Sequence, residues 1–179
     1  MGPPGAGKGT QGELLAQRLG VPRHSTGDTL RQALREGTPR GREAKRFMHA
    51  GELVPDEVML GIIGEALEQE GSSEGFVLDG FPRTVAQAEG LARLLEERDE
   101  ELDAVVNLEV DDEEIMRRLA TRGRKDDLEE TIRRRLEIYR ADTKPVLDWY
   151  EQAGVPVLEI GGVGDIDAIQ EQILGCLAL

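Results

Sequence analysis

The sequence predicts an α/β fold built on a doubly wound parallel sheet. Three observations carry that expectation. Short apolar runs alternate with amphipathic helical segments along the chain, the pattern of parallel strands joined by crossover helices. Phe76-Val77-Leu78-Asp79 is apolar and ends in a carboxylate, as a buried parallel strand does where its carboxyl end meets a ligand crevice. Gly2-Pro3-Pro4-Gly5-Ala6-Gly7-Lys8-Gly9-Thr10 places Gly-Lys four residues after a glycine, the spacing of a phosphate-binding loop that opens a helix.

In that loop the glycines, having no Cβ, let the backbone close round an anion with its N–H groups turned inward. Lys8 adds a mobile positive charge for β- and γ-phosphates. The helix that follows, marked by Leu14, Leu15 and Leu19, aims its positive end at the same anion. The strict motif has Ser or Thr directly after the lysine; here Gly9 intervenes and the hydroxyl comes at Thr10. Such a loop normally follows a buried central strand, yet only Met1 precedes Gly2, so the first strand is expected to be missing. Adding about five apolar residues ahead of Gly2, the length of an ordinary strand, should then raise both melting temperature and activity.

The remaining elements follow from periodicity and breakers. The first helix is expected over 7–19, ending at Gly20, and a brief strand over 22–25. Ser25 or Thr26 should cap the next helix, with Arg31 about one turn inside. Gly37-Thr38-Pro39 breaks that pattern, a helix follows over 41–50, and the loop 51–55 leads into another ending near Gly71. After the strand 76–79, the loop 80–84 opens a helix to Arg98. The run 104–110 reads as a strand made less apolar by Asn107 and Glu109. Helices are expected over 112–120, 128–140 and 144–153, with a charged hinge at 121–127. A strand at 156–160, a glycine turn and a last helix follow.

At 179 residues the chain suits one domain with a proper core. Aromatics are only 3 %, so that core must be built from Leu, Val, Ile and Ala. A net charge of −14 argues against a nucleic-acid or anionic-membrane partner. Of the 22 positive residues 18 are arginine, the better side chain for bidentate phosphate contact. A GC-rich genome explains that total equally well, so placement must decide which arginines matter. Cys176, the single cysteine, excludes a disulfide framework and a cysteine-based zinc site and is expected to pack. No long apolar run and no signal peptide are present, so a soluble cytoplasmic protein is expected.

The segment 128–140 separates its arginines by position. Its apolar stripe is Leu128, Ile132, Leu136 and Tyr139. Glu129 and Glu130 precede Arg133 and Arg134 by four, an arrangement of surface ion pairs worth about 0.3–0.5 kcal/mol each. Arg135 has Thr131 and Tyr139 at its i±4 positions and lies at the edge of the stripe, so an anion from elsewhere is expected to face it. Arg118 and Arg122 stack like charge on one helical face, with Arg124 following in the hinge. A negative ligand between them, or a solvated basic helix end, accounts for that pattern. His24 and His49 have no partner at ligand spacing, and Trp149 and Tyr150 are read as packing residues.

Taken together, the chain resembles the adenylate kinase family. The resemblance rests on the loop Gly2 to Thr10, on Ser25-Thr26-Gly27-Asp28-Thr29-Leu30-Arg31, on Asp79-Gly80-Phe81-Pro82-Arg83, and on Arg124-Lys125-Asp126-Asp127 with Arg135 after it. These stand in family order and span the chain from Gly2 onward. The fold implied is a three-layer α/β/α P-loop NTP hydrolase-like domain over 1–179. Inserted in it would be a monophosphate-binding subdomain at about 25–54 and a short lid at about 121–127. Long-lid relatives often bind zinc through cysteines, which this lid does not contain.

The resemblance also implies roles. Gly5, Ala6, Gly7, Lys8, Gly9 and Thr10 would hold ATP phosphates, Arg122 would lie on ATP, and Gly164 would touch its base through the backbone. Thr26 and Arg31 would contact AMP, with backbone contacts from Glu52, Leu53 and Val54. Gly80, Phe81, Pro82 and Arg83 would cradle the AMP phosphate, and Gln87 would read the adenine edge. Arg124 and Arg135 would bridge to the acceptor phosphate. Asp79, and with it Asp28, would hold the Mg²⁺ shell through water. Lys8, Arg83, Arg122, Arg124 and Arg135 would thus be the catalytic set. The implied reaction is Mg²⁺-dependent ATP + AMP = 2 ADP, serving adenine nucleotide homeostasis and salvage, in a monomer. An acceptor that is already anionic needs no general base, so alignment and charge neutralisation suffice. The alternatives are a UMP- or CMP-selective kinase, and a truncated nucleotide-binding protein without turnover.

Overall fold

The computed structural model describes residues 1–68, 74–123 and 128–178. The expected hinge residues Arg124, Lys125, Asp126 and Asp127 lie outside them, as does the stretch towards Gly71. The described elements run α1 (Lys8–Leu19), β1 (Arg23–Ser25), α2 (Thr26–Glu36), α3 (Pro39–Ala50), α4 (Asp56–Leu67), β2 (Val77–Asp79), α5 (Val85–Glu96), β3 (Val105–Glu109), α6 (Asp112–Arg122), α7 (Glu129–Ile138), a π-helical turn (Tyr139–Thr143), α8 (Pro145–Gln152), β4 (Val157–Gly161) and α9 (Ile166–Cys176).

Local chemistry explains most boundaries. Gly20, Gly37, Gly51 and Gly123 end their helices in the left-handed conformation, which costs a glycine nothing at Cβ. Thr38 accepts from the Gly41 N–H and Pro39 follows at the first helical position, so α3 starts two residues earlier than its apolar pattern suggests. Thr84 caps α5 through the Gln87 N–H, and Asp111 caps α6 through the Glu114 N–H. Ser25 occupies the cap position of α2 without making the cap bond; its hydroxyl donates to Asp79 Oδ2 at 3.2 Å instead. The site takes that hydroxyl away from the helix.

Both strand pairs are parallel: β1 with β2 (Arg23↔Val77, Ser25↔Asp79) and β3 with β4 (Val105↔Val157, Glu109↔Gly161). The described strands form two separate parallel pairs, within the α/β alternation of parallel strands and helices that the sequence predicts. Between them lies a cavity of about 490 Å³, lined by Val77, Leu78, Val105, Val106, Leu108 and Leu15 among others. Met1 reaches into this space. Its amino group donates to the Val106 carbonyl, and its own carbonyl accepts from the Leu108 N–H at 3.1 Å.

The core has three parts. One joins α1, α6, α7 and α9 through Leu15, Ile115, Leu119, Ile132, Leu136 and Ile173. A second lies under α4 and α5 around Ile63, Leu67, Phe81 and Leu91, and a third packs Ala88, Val105, Val146, Leu147 and Tyr150. Aliphatic residues dominate all three, as the scarcity of aromatics requires. His24 is buried in β1, so it serves packing rather than the surface. Cys176 corrects its expectation: it is exposed, because Ile169, Gln170, Ile173 and Leu174 form the inner face of α9. Arg133 pairs with Glu129 as expected, whereas Arg134 takes Glu137 at 3.5 Å in place of Glu130. Among the described residues no helix is long and apolar enough to cross a membrane.

Candidate active site

The loop ahead of α1 turns on positive-φ glycines at Gly2, Gly5 and Gly7. Two of these are also enforced by contact: a Cβ on Gly2 would stand 2.6 Å from the Leu108 carbonyl oxygen, and one on Gly5 would stand 2.9 Å from Leu119 Cγ. The loop is therefore pressed onto β3 and α6. Lys8 Nζ donates to the Gly2 and Pro3 carbonyls, both at 2.7 Å. Gly9 and Thr10 are exposed at the mouth. Arg118 ties this loop to the turn after β4, donating to the Gly162 carbonyl at 2.9 Å and to that of Ala6 at 3.4 Å while pairing with Glu114 at 2.6 Å. The apparent like-charge stack of Arg118 on Arg122 thus has an acidic partner and a structural use.

Asp79 ends β2 beside α1, and a Cβ on Gly9 would lie 3.6 Å from its Oδ2. That oxygen accepts from Arg23 Nη1 at 2.8 Å and from Ser25 Oγ at 3.2 Å. Oδ1 takes neither bond. Arg23 also pairs with Glu13 at 2.9 Å and Asp28 at 3.2 Å, which fixes the Asp79 carboxylate against the loop. Among the described residues no cluster of three or more metal-ligating side chains exists. A lone carboxylate next to a phosphate loop fits a cation held chiefly by phosphates and water, and Asp79 keeps an oxygen for that purpose. Asp28 is differently placed. Arg31 Nη2 takes its Oδ1 at 2.7 Å and Arg23 takes its Oδ2. Against the upward push of burial, these guanidiniums hold Asp28 down at about 2.

On the other side of Asp79, Gly80 (φ +81) leads into a cis Phe81–Pro82 peptide. Thr26 Oγ1 donates to the Gly80 carbonyl at 3.1 Å, and Arg83 Nε donates to the same oxygen at 2.7 Å. A second, smaller pocket of about 80 Å³ opens here, lined by Thr26, Arg31, Glu52, Leu53, Val54, Arg83, Gln87 and Arg135 among others. Gly51 brings α7 to its rim: a Cβ there would lie 3.0 Å from Thr131 Cγ2 and 3.2 Å from Arg135 Cγ.

Charge links the pocket to the loop. Burial, then the charge of Arg83, with further contributions from Arg135 and Arg122, pulls Lys8 down to about 7 against the opposing pull of Asp79. Burial and the Arg135 charge likewise bring Arg83 down to about 10. Lys8, Arg83 and Arg135 line the larger cleft together with Asp79.

Most of the sequence-derived candidates fall into this region. The loop Gly5 to Thr10 lies on one side of Asp79, with Arg122 close enough to shift Lys8. Thr26, Arg31, Glu52, Leu53, Val54, Gly80, Phe81, Pro82, Arg83, Gln87 and Arg135 gather on the other. Gly164 lies two residues past Gly162, whose Cβ would stand 3.2 Å from the Ala6 carbonyl. Arg124 lies outside the described residues. Sequence reasoning missed Arg23, Gly51, Asp56 and Gly162, and undervalued Arg118. Arg23, directly after Gly20-Val21-Pro22 and five before Asp28, carried no motif; its three carboxylate partners come from three different elements.

A family model described as Adenylate kinase matches residues 1–155. The chain is 49 % identical over 178 residues to an adenylate kinase of Leptospira biflexa, covering 97 % of this chain and 95 % of that one. It is 48 % identical to an adenylate kinase of Corynebacterium aurimucosum, with 97 % and 94 % covered. It is also 49 % identical to adenylate kinase 1 of a Nostoc species, with 97 % and 91 % covered.

Proposed function

We infer the chemistry of this site from the family to which the chain belongs, the adenylate kinases: reversible phosphoryl transfer between ATP and AMP, giving two ADP. The observation that supports the residue assignment is geometric: Lys8, Asp79, Arg83 and Arg135 line one cleft, and Arg31, Arg83 and Arg135 line the smaller pocket beside it. Two nucleotides meeting phosphate to phosphate would place their charge among these cations.

In this reading Gly5, Ala6, Gly7, Gly9 and Thr10 cradle the ATP phosphates with backbone N–H groups, and Lys8 leaves the Gly2 and Pro3 carbonyls for the β- and γ-oxygens. Gly164 lies against the ATP base. Thr26, Arg31, the backbone of Glu52, Leu53 and Val54, and the Gly80–Arg83 turn hold AMP, with Gln87 at the adenine edge. Arg135 and Arg83 draw the AMP phosphate toward the γ-phosphorus, assisted by Arg124. An AMP phosphate oxygen forms the new P–O bond while the bond to the β,γ-bridging oxygen breaks, its electron pair staying on the departing ADP. No proton moves, so no general base is needed. Asp79 Oδ1 would hold the water shell of a Mg²⁺ bound with ATP, an ion that would supply charge neutralisation to the phosphates. Asp28 acts through the arginines it orients.

The insert at about 25–54 and the lid at about 121–127 close over the substrates and exclude water, which would otherwise hydrolyse ATP. A cytoplasmic monomer without nucleic-acid or membrane partners fits the acidic surface, and the reaction balances adenine nucleotides and salvages AMP. A coupled assay with AMP, UMP, CMP and GMP as acceptors tests the substrate. AMP should give by far the highest kcat/KM, and preference for a pyrimidine would overturn the choice.

A further inference from the structure

Gln87 is 1 % exposed, and its amide is held by two partners that cannot exchange roles. The Arg83 backbone N–H donates to Oε1 at 2.8 Å. Nε2 donates to Asp56 Oδ1 at 2.7 Å. A backbone N–H only donates and a carboxylate only accepts, so both partners impose the same amide orientation. Turning the amide over would face Nε2–H against an N–H and Oε1 against a carboxylate, two repulsive contacts at a buried site. Asp56 is in turn steadied by Thr84, whose hydroxyl donates to the same Oδ1 at 3.2 Å while its oxygen accepts from the Gln87 backbone N–H at 3.1 Å.

We propose that Asp56 is a positioning residue that sets base selectivity in the monophosphate pocket by locking the orientation of the Gln87 amide. This rests on Gln87 facing the base of the monophosphate. With one N–H and one acceptor direction committed, the amide keeps one N–H on Nε2 and one lone pair on Oε1 for the pocket that Gln87 lines. In fixed positions these meet a base edge with an amino donor beside a ring-nitrogen acceptor, as in a 6-aminopurine. A 6-oxopurine presents the reverse order, and only a turned amide could serve it. Asp56 opens α4 from the loop after Gly51, whereas Gln87 lies on α5, so the lock also joins two walls of the pocket.

The test measures KM and kcat for AMP and the inhibition constant of IMP as a competitor, alongside melting temperature. Asp56→Ala should raise KM for AMP about tenfold or more, with a smaller change in kcat, and narrow the AMP-over-IMP preference by about ten- to a hundredfold, the value of one bidentate base contact. Asp56→Asn keeps an acceptor oxygen and should restore most of the preference. Thr84→Ala removes the α5 cap and lowers the melting temperature, but it leaves the two amide partners in place and should keep the preference. If Asp56→Ala lowers stability while the AMP-over-IMP ratio stays as in wild type, Asp56 is merely structural and the proposal fails. If instead Gln87→Ala leaves KM for AMP unchanged, the base-reading role of Gln87 fails first, whatever Asp56 does.

Discussion

Filling the apolar part of the space between the two strand pairs should stabilise this protein. The perturbation is an apolar segment of about five residues, a strand length, joined ahead of Gly2. It would run from the chain start through the cavity, parallel to β2 and β3, into the phosphate loop. The cleft there is about 490 Å³ and also takes in Lys8, Asp79 and Arg83, so only its apolar part can be filled. Burying five apolar side chains contributes about 1.5–3 kcal/mol each, or about 12 kcal/mol in all. Ordering five residues costs about 1.5 kcal/mol each, or about 7–8 in all. The net gain is about 4–5 kcal/mol, and at about 2–4 °C per kcal/mol for a chain of this size the melting temperature should rise by about 10–20 °C. Calorimetry on the extended chain, beside a matched extension of Ser, Asn and Gly, reads the effect, and specific activity should rise with it. Equal melting temperatures for the unextended and apolar-extended chains would refute the reasoning, as would an equal rise with the polar extension.

Other outcomes follow from the site. Arg135→Ala should cut turnover by about 10²–10³-fold, as loss of a donor at developing charge does, with a circular dichroism spectrum like wild type; unchanged turnover would remove the catalytic role. Burial, then the Arg83 charge, lowers Lys8 in the folded protein to about 7 from its ordinary 10.5, so the unfolded state binds more protons between these values. Its contribution therefore makes the ligand-free protein gain stability as pH rises from 7 towards 10.5. Urea melts at pH 7 and pH 9 should show a larger gain for wild type than for Lys8→Met. Gly80→Ala places a Cβ 3.0 Å from Arg83 Nη2 and 3.1 Å from Thr26 Oγ1 at φ +81. It should cost about 1–2 kcal/mol in backbone strain and raise KM for AMP more than KM for ATP, measured by varying each nucleotide separately.

The elements that periodicity located well are those whose own residues decide their shape. α1 ends at Gly20 and α2 at Gly37 because glycine alone adopts the required left-handed turn cheaply. The apolar stripe of α7 put Ile132 and Leu136 inside and Arg135 at the edge facing the pocket. Ser25 was harder: its sequence position says helix cap, yet the carboxylate of Asp79, distant in the chain, competes for the hydroxyl and wins. Cys176 lies between Leu174 and Leu177, which pack inward, and only the packing of α9 reveals that it faces outward.

By itself the sequence determined the phosphate loop, the order of strands and helices, and the family, since each rests on residues close together whose backbone or charge chemistry is local. Tertiary structure decided what depends on partners far apart in the chain. It set Arg23 across Glu13, Asp28 and Asp79, turned Arg118 onto the Ala6 and Gly162 carbonyls, and closed the Asp56–Gln87–Arg83 network. It also parted the strands into two pairs around a cavity. The reason is physical: a hydrogen bond or a void is a property of two surfaces meeting, and periodicity describes only one surface at a time.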